Sequence, residues 1–177
     1  KVGNQYLHLG SARLAIRGDE REDMPMEDKF GNSIIYNGEI FDVNYLKPYL
    51  EKSNYISDTR VLLELLSKDT SNISLVNGMF AFIFFEKKSG KIYFSRDKLG
   101  IKPLYYVIDE KNNITFSSEI NSLLKFSNST HTIDSDQLNK LFYFGGLTQN
   151  SDIIKNFKIL ETGELFSFDI FDFKHCA

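Results

Sequence analysis

Within residues 32–43, NSIIYNGEIFDV, an alternating apolar run ends in Asn37-Gly38-Glu39 and then resumes with another aromatic. A strand ending this way can aim the Asn37 carboxamide and the Gly38 backbone N–H at one point. Two convergent donors make an oxyanion hole, which stabilises the charge that develops on an attacked carbonyl. Glycine suits that position because a ligand must approach the backbone closely. Glu39 can then hold an ammonium group. The same residues also read as a tight hairpin turn with a solvated glutamate, since Asn-Gly between two apolar runs is a turn signal. Asp58 has two readings as well. It is either a carboxylate facing a ligand or a helix N-cap that satisfies orphan N–H groups. Arg13, in SARLAI, is a lone cation in an otherwise apolar run, and a half-buried guanidinium needs a carboxylate partner from protein or ligand. One cation and two acids match a free amino acid: guanidinium to its carboxylate, Glu39 and Asp58 to its amine.

Other reactive residue types read as structural. Arg96-Asp97, in SRDKLGIKPLYY, is a turn held by an ion pair or by Asx hydrogen bonding. Lys102 reads as a solvated turn lysine. Cys176 is the single cysteine of the chain and has no neighbouring base or helix N-terminus to activate it. His8, His131 and His175 are scattered, with no i, i+4 pair and no cysteine cluster, so no metal site is expected.

The elements that must position these residues follow from pattern. Residues 6–16 read as a strand, residues 17–32 as a charged loop turning at Phe30-Gly31-Asn32, and Ser33–Asn37 as a short strand. Residues 42–53 read as a helix capped by Asp42, and the stripe Val61, Leu62, Leu65, Leu66 marks a second, capped by Ser57 or Asp58. MFAFIFF, residues 79–85, lacks alternation and must be buried on both faces, which implies at least three layers. It forms a hairpin with IYFSRD, and LYYVI forms another with ITFSS. Short helices are expected over 119–126 and 134–143, the latter capped by Asp134 or Ser135, and a strand over 164–170. The sum is one mixed α+β domain dominated by antiparallel hairpins. Its 177 residues, 42% hydrophobic and 25% charged, suit a globular core. A net charge of −3 gives no pull toward nucleic acid or an anionic membrane, and no apolar run is long enough to span a bilayer. The single cysteine fits a reducing, cytoplasmic setting. The chain starts without an initiator Met or a signal pattern, as expected of a sequence that begins mid-protein.

Taken together, LGSARLAI, MPM, YNGEIFD, SDTRVLLELL, NGMFAFIFF, FSRDKLGIKPLYY and FSSEINSLL resemble, in order and spacing, the class II glutamine amidotransferase domain. The likeness is to the glutamine-hydrolysing asparagine synthases more than to the phosphoribosyl or hexosamine amidotransferases. It continues through FYFGGLTQNSDIIKNFKILETGELFSF, with Gly163 where the family has Pro-Gly. The resemblance implies a four-layer αββα N-terminal-nucleophile-hydrolase sandwich, with residues 1–177 as a single, partial domain.

It also implies chemistry. An N-terminal cysteine thiolate attacks the glutamine side-chain amide, with its own α-amino group as base. The ammonia then passes to an ATP-dependent synthase domain. Residue by residue, Asn37 and Gly38 resemble the oxyanion hole, Arg13 the carboxylate clamp with backbone contacts near Leu14 and Ile16, and Glu39 and Asp58 the groups around the amine. No cofactor is implied for this domain. ATP and magnesium are expected only in the synthase domain, which would be the partner alongside glutamine, and the family is compatible with a homodimer. Three departures stand out. There is no Cys-Gly-Ile start, so the first part of the fold is expected outside this sequence. Ser11-Ala12 replaces the family's His-Arg or His-Thr beside Arg13. The Ser-Gly-Gly-x-Asp-Ser pyrophosphate loop is absent. The rival readings are a degenerate, non-catalytic glutaminase-like scaffold that has lost its cysteine, and a different amidotransferase branch.

Overall fold

The structure, a computed structural model, describes residues 6–11, 24–51, 57–110, 113–126, 131–146 and 153–170. Two antiparallel hairpins expected from the sequence build its frame. β3 (Gly78–Glu86) pairs with β4 (Lys91–Arg96), and β5 (Tyr105–Ile108) pairs with β6 (Ile114–Ser117). β2 (Ser33–Ile40) lies along the other side of β3, with Asn37 opposite Ala81 and Gly38 opposite Phe80. The short β1 (Met26–Glu27) and β8 (Leu165–Asp169) complete a five-stranded sheet in the order β1-β2-β3-β4-β8, while β7 (Phe157–Ile159) gives a three-stranded sheet β6-β5-β7.

The side-chain period of two on β3 divides two cores. Phe80, Phe82 and Phe84 point to one face, where Val61, Leu62, Leu65 and Leu66 of α2 (Asp58–Lys68) cover them together with Ile34 and Tyr36. Each of these fully buried leucines contributes about 1.5–3 kcal/mol of burial energy. Ala81 and Ile83 point the opposite way and, with Phe94 and Phe166, meet Leu104, Tyr106 and Phe116 of the second sheet. On the outer face of that sheet, Val107 and Phe157 pack on Leu123 of α3 (Ile120–Phe126). The layers are therefore helix, sheet, sheet, helix, the αββα sandwich. α4 (Ser135–Phe144) is capped by Asp134, whose carboxylate accepts from Asp136 N–H and Gln137 N–H.

Several elements differ from the sequence reading. Residues 6–11 are irregular rather than strand, and the remainder of that expected strand lies outside the described residues. The helix expected over 42–53 is only α1 (Val43–Leu46), capped by Asp42 as expected, running into a 3-10 turn over Lys47–Tyr49. Pro48 has no N–H to continue an α-helical ladder. The strand expected to end at Asn37 continues to Ile40, so Asn37-Gly38 is not a hairpin turn. β1, β7 and the 3-10 segment Thr70–Leu75 are too short to leave a periodic signature.

Arg96 and Asp97, both almost fully buried, do not pair with each other. The guanidinium donates to the carbonyls of Leu160 and Gly100. The carboxylate accepts four backbone N–H groups, from Phe80, Leu99, Ile101 and Lys102, at 3.0–3.2 Å. Burial alone would raise the pKa of Asp97, but those four donors outweigh it and leave it below the ordinary carboxylate value.

Candidate active site

Ser57, not Asp58, caps α2: the Ser57 hydroxyl accepts from Arg60 N–H, and Asp58 becomes the first helical residue. That frees the Asp58 carboxylate to turn toward β2. Its Oδ1 accepts the Thr59 N–H at 2.9 Å, while Oδ2 accepts the Tyr36 hydroxyl at 3.1 Å and the Ile40 N–H at 3.2 Å. Burial first, then the negative charge of Asp58 and Glu39 nearby, pushes the Tyr36 hydroxyl far above the usual tyrosine range. It stays a donor to Asp58 at any ordinary pH.

The strand ladder explains why Asn37 and Gly38 face a ligand site. In antiparallel pairs, residues that exchange hydrogen bonds alternate with residues that do not. Tyr36 N–H reaches the Met24 sulfur and Ile40 N–H reaches Asp58, so the even-numbered residues of β2 turn their amides away from β3. Gly38 shares that parity, and β1 pairs with β2 only at Ser33 and Ile34. Its N–H therefore points to the open side of the strand beyond the end of β1. Directly across, Phe80 directs both its N–H and its C=O to Asp97 rather than to Gly38. The Gly38–Phe80 pair thus sits in the narrow, non-hydrogen-bonded register. A Cβ on Gly38 would fall onto the Met79 carbonyl oxygen and within 2.7 Å of Phe80 Cα. Only glycine fits.

Asn37, Gly38, Glu39 and Asp58 all line one cleft of about 1020 Å³ between the two sheets. Tyr36 and Thr59 belong to the same wall; Lys102 and Pro103, with Ser117 at the end of β6 and Ser118 and Glu119 beyond it, form the facing one. Four of the residues expected at the site therefore meet. Arg13, Leu14 and Ile16 lie outside the described residues, as does Cys176. Asn37 is exposed, with its carboxamide on the face opposite Tyr36 and Ile40. Lys102, expected as a solvated turn lysine, is half-buried on the cleft wall. Tyr36 went unmarked in the sequence because its role comes from Asp58, 22 positions away. The aromatic-before-Asn-Gly pattern was the only signal available.

The arrangement offers two amide donors, two carboxylates and a polar facing wall, which suits a zwitterion bearing an amide. Among the described residues no group of three His, Cys, Asp or Glu is placed to hold a metal, and no helix is long and apolar enough to cross a membrane. His131 has a structural contact, edge-on to the Phe157 ring at 5.3 Å.

Comparison with known proteins agrees with the resemblance. Residues 2–174 match the glutamine amidotransferase domain model. A protein of Methanocaldococcus jannaschii, provisionally named glutamine-hydrolysing asparagine synthetase 2, is 36% identical over 94% of this chain and 36% of its own length. Bacillus subtilis glutamine-hydrolysing asparagine synthetases 3 and 1 are 29% and 33% identical, over 94% and 93% of this chain and 28% and 27% of theirs. The chain spans about a third of the length of these relatives. Among solved structures, glutamine phosphoribosylpyrophosphate amidotransferase from B. subtilis is similar with a TM-score of 0.44 and 21% identity, over 55% of this chain and 24% of that one. The chain belongs to the glutamine amidotransferase domain family, in the form carried by asparagine synthetase-like proteins.

Proposed function

We propose that this domain hydrolyses the side-chain amide of glutamine, and that the ammonia reaches an ATP-activated carboxylate, aspartate or a sugar acid, in a synthase domain of the same protein. The observation that supports this most is the meeting of Asn37, Gly38, Glu39 and Asp58 on one cleft. The cysteine thiolate implied by the family adds to the amide carbon, and the oxygen of that carbonyl takes the charge. The Asn37 carboxamide and the Gly38 N–H donate to this oxyanion, ammonia leaves, and water resolves the thioester. Glu39 and Asp58 hold the α-ammonium group, and Arg13 grips the α-carboxylate. The hydrolytic step uses no cofactor; ATP and magnesium serve only acceptor activation.

Arg13 grips a part of glutamine remote from the broken bond, so Arg13→Ala in the full-length protein should chiefly raise KM for glutamine. Steady-state glutamate release measures it, and a KM within error of wild type rejects the clamp. Tyr36→Phe removes one donor from Asp58 and leaves Ile40 N–H in place. A lost hydrogen bond of about 1 kcal/mol corresponds to a KM raised about fivefold at little-changed kcat. If KM stays put, Tyr36 has no part in holding the amine.

A further inference from the structure

We propose that Asp97 is a positioning residue for glutamine hydrolysis, holding β3 against Gly38 and tying that wall of the cleft to the facing one. The proposal rests on the oxyanion reading of Asn37 and Gly38. Asp97 stands where the β3–β4 ladder ends, since Arg96 is opposite Ala81 and is the last paired residue of β4. There its own N–H donates to the Phe80 carbonyl at 2.8 Å, and its carboxylate Oδ2 accepts the Phe80 N–H at 3.2 Å. Both polar groups of Phe80 are thereby drawn toward β4. That leaves Phe80 in the narrow register across from Gly38, with Phe80 Cα where a side chain at position 38 would need space. The lateral position of Gly38, and of the Asn37 carboxamide next to it, is set from behind by this contact.

The same Oδ2 accepts the Lys102 N–H at 3.0 Å, and Lys102 belongs to the connection from β4 into the second sheet that forms the facing wall. Oδ1 accepts from Leu99 and Ile101 and closes the turn between them. The two oxygens therefore divide the work. Oδ1 shapes the turn, and Oδ2 joins the oxyanion strand to the opposite wall. Only a carboxylate does both, because an amide has one acceptor oxygen and would set an NH₂ group against the other pair of donors.

Asp97→Asn tests this in the full-length protein, beside Ile92→Ala as a control that loosens the far end of the same two strands. Ile92 is buried with Phe85 and Ile170 and is not among the residues that line the cleft. With both variants assayed well below their Tm, Asp97→Asn should lower glutaminase kcat about 10–100-fold, the cost of an ångström-scale displacement of catalytic donors, while KM for glutamine stays within about twofold. Hydrogen exchange at the Phe80 amide should accelerate in the same variant. Ile92→Ala should keep its kcat. A kcat for Asp97→Asn no lower than that of the control, or a loss confined to KM, overturns the proposal. Where Asp97→Asn does not fold, Asp97→Glu, which retains both oxygens but moves them by one methylene, takes its place under the same criteria. Asn37→Ala, run in parallel, separates the two readings. If it leaves kcat unchanged, the oxyanion assignment itself fails; if it lowers kcat while Asp97→Asn matches the control, only the positioning role falls.

Discussion

Asn37→Ala should lower the glutaminase kcat of the full-length protein by about 10²–10³-fold, with KM for glutamine little changed. The magnitude follows from where the carboxamide acts. A donor aimed at a developing oxyanion strengthens its hydrogen bond only as the carbonyl becomes tetrahedral, so its loss falls on the chemical step. The fold should tolerate the change well. Asn37 is exposed on the cleft side of β2, and its backbone pairing with Ala81 does not depend on the side chain. Thermal melting within a few degrees of wild type, measured beside the loss of turnover, is the expected combination. Unchanged turnover would remove Asn37 from the mechanism.

Gly38→Ala should harm both stability and turnover. The added methyl group meets backbone on β3, the Met79 carbonyl oxygen and Phe80 Cα, and no rotamer change relieves it. The strands must separate, and overpacking of this kind costs about 1–3 kcal/mol. Separation also moves the Gly38 N–H and the adjacent Asn37 carboxamide, and displacement by about 1 Å is enough to lose about 100-fold in rate. A lowered Tm together with a kcat at least that much reduced is the expected outcome. A variant that melts and turns over like wild type would show that the narrow Gly38–Phe80 register is not a requirement of the site.

The contrast between these two neighbours shows where the sequence was readable. Asn37-Gly38 carries a strong local turn signal, yet it lies within a continuous strand. The deciding partner, β3, is some forty residues downstream, and its pairing outweighs the dipeptide's own preference. The choice between Ser57 and Asp58 as the cap of α2 was undecidable for a related reason. Either side chain can reach the first-turn amides, and only the arrival of Tyr36 and Ile40 from β2 gives the Asp58 carboxylate a better use. Asp97 likewise read as an Asx turn or an ion pair. The Asx hydrogen bonding is present at Oδ1 and the ion pair is not, while the buried donors from Phe80 and Lys102 make the same carboxylate a junction as well.

What the amino-acid order determined alone was everything resting on short-range regularity. The unbroken apolar run of β3, its hairpin with β4, the β5–β6 hairpin, the stripe of α2 and the caps at Asp42 and Asp134 each show as a pattern within one segment or between two adjacent ones. Several dispersed motifs in the right order were also enough to point to the family. Tertiary structure alone decided which polar groups converge. Hydrogen-bond parity along β2, the turn of the Asp58 carboxylate toward Tyr36 and Ile40, and the cleft between the sheets exist only once segments far apart in the chain are packed, because a donor's partner is set by the strand beside it and not by its neighbours in sequence.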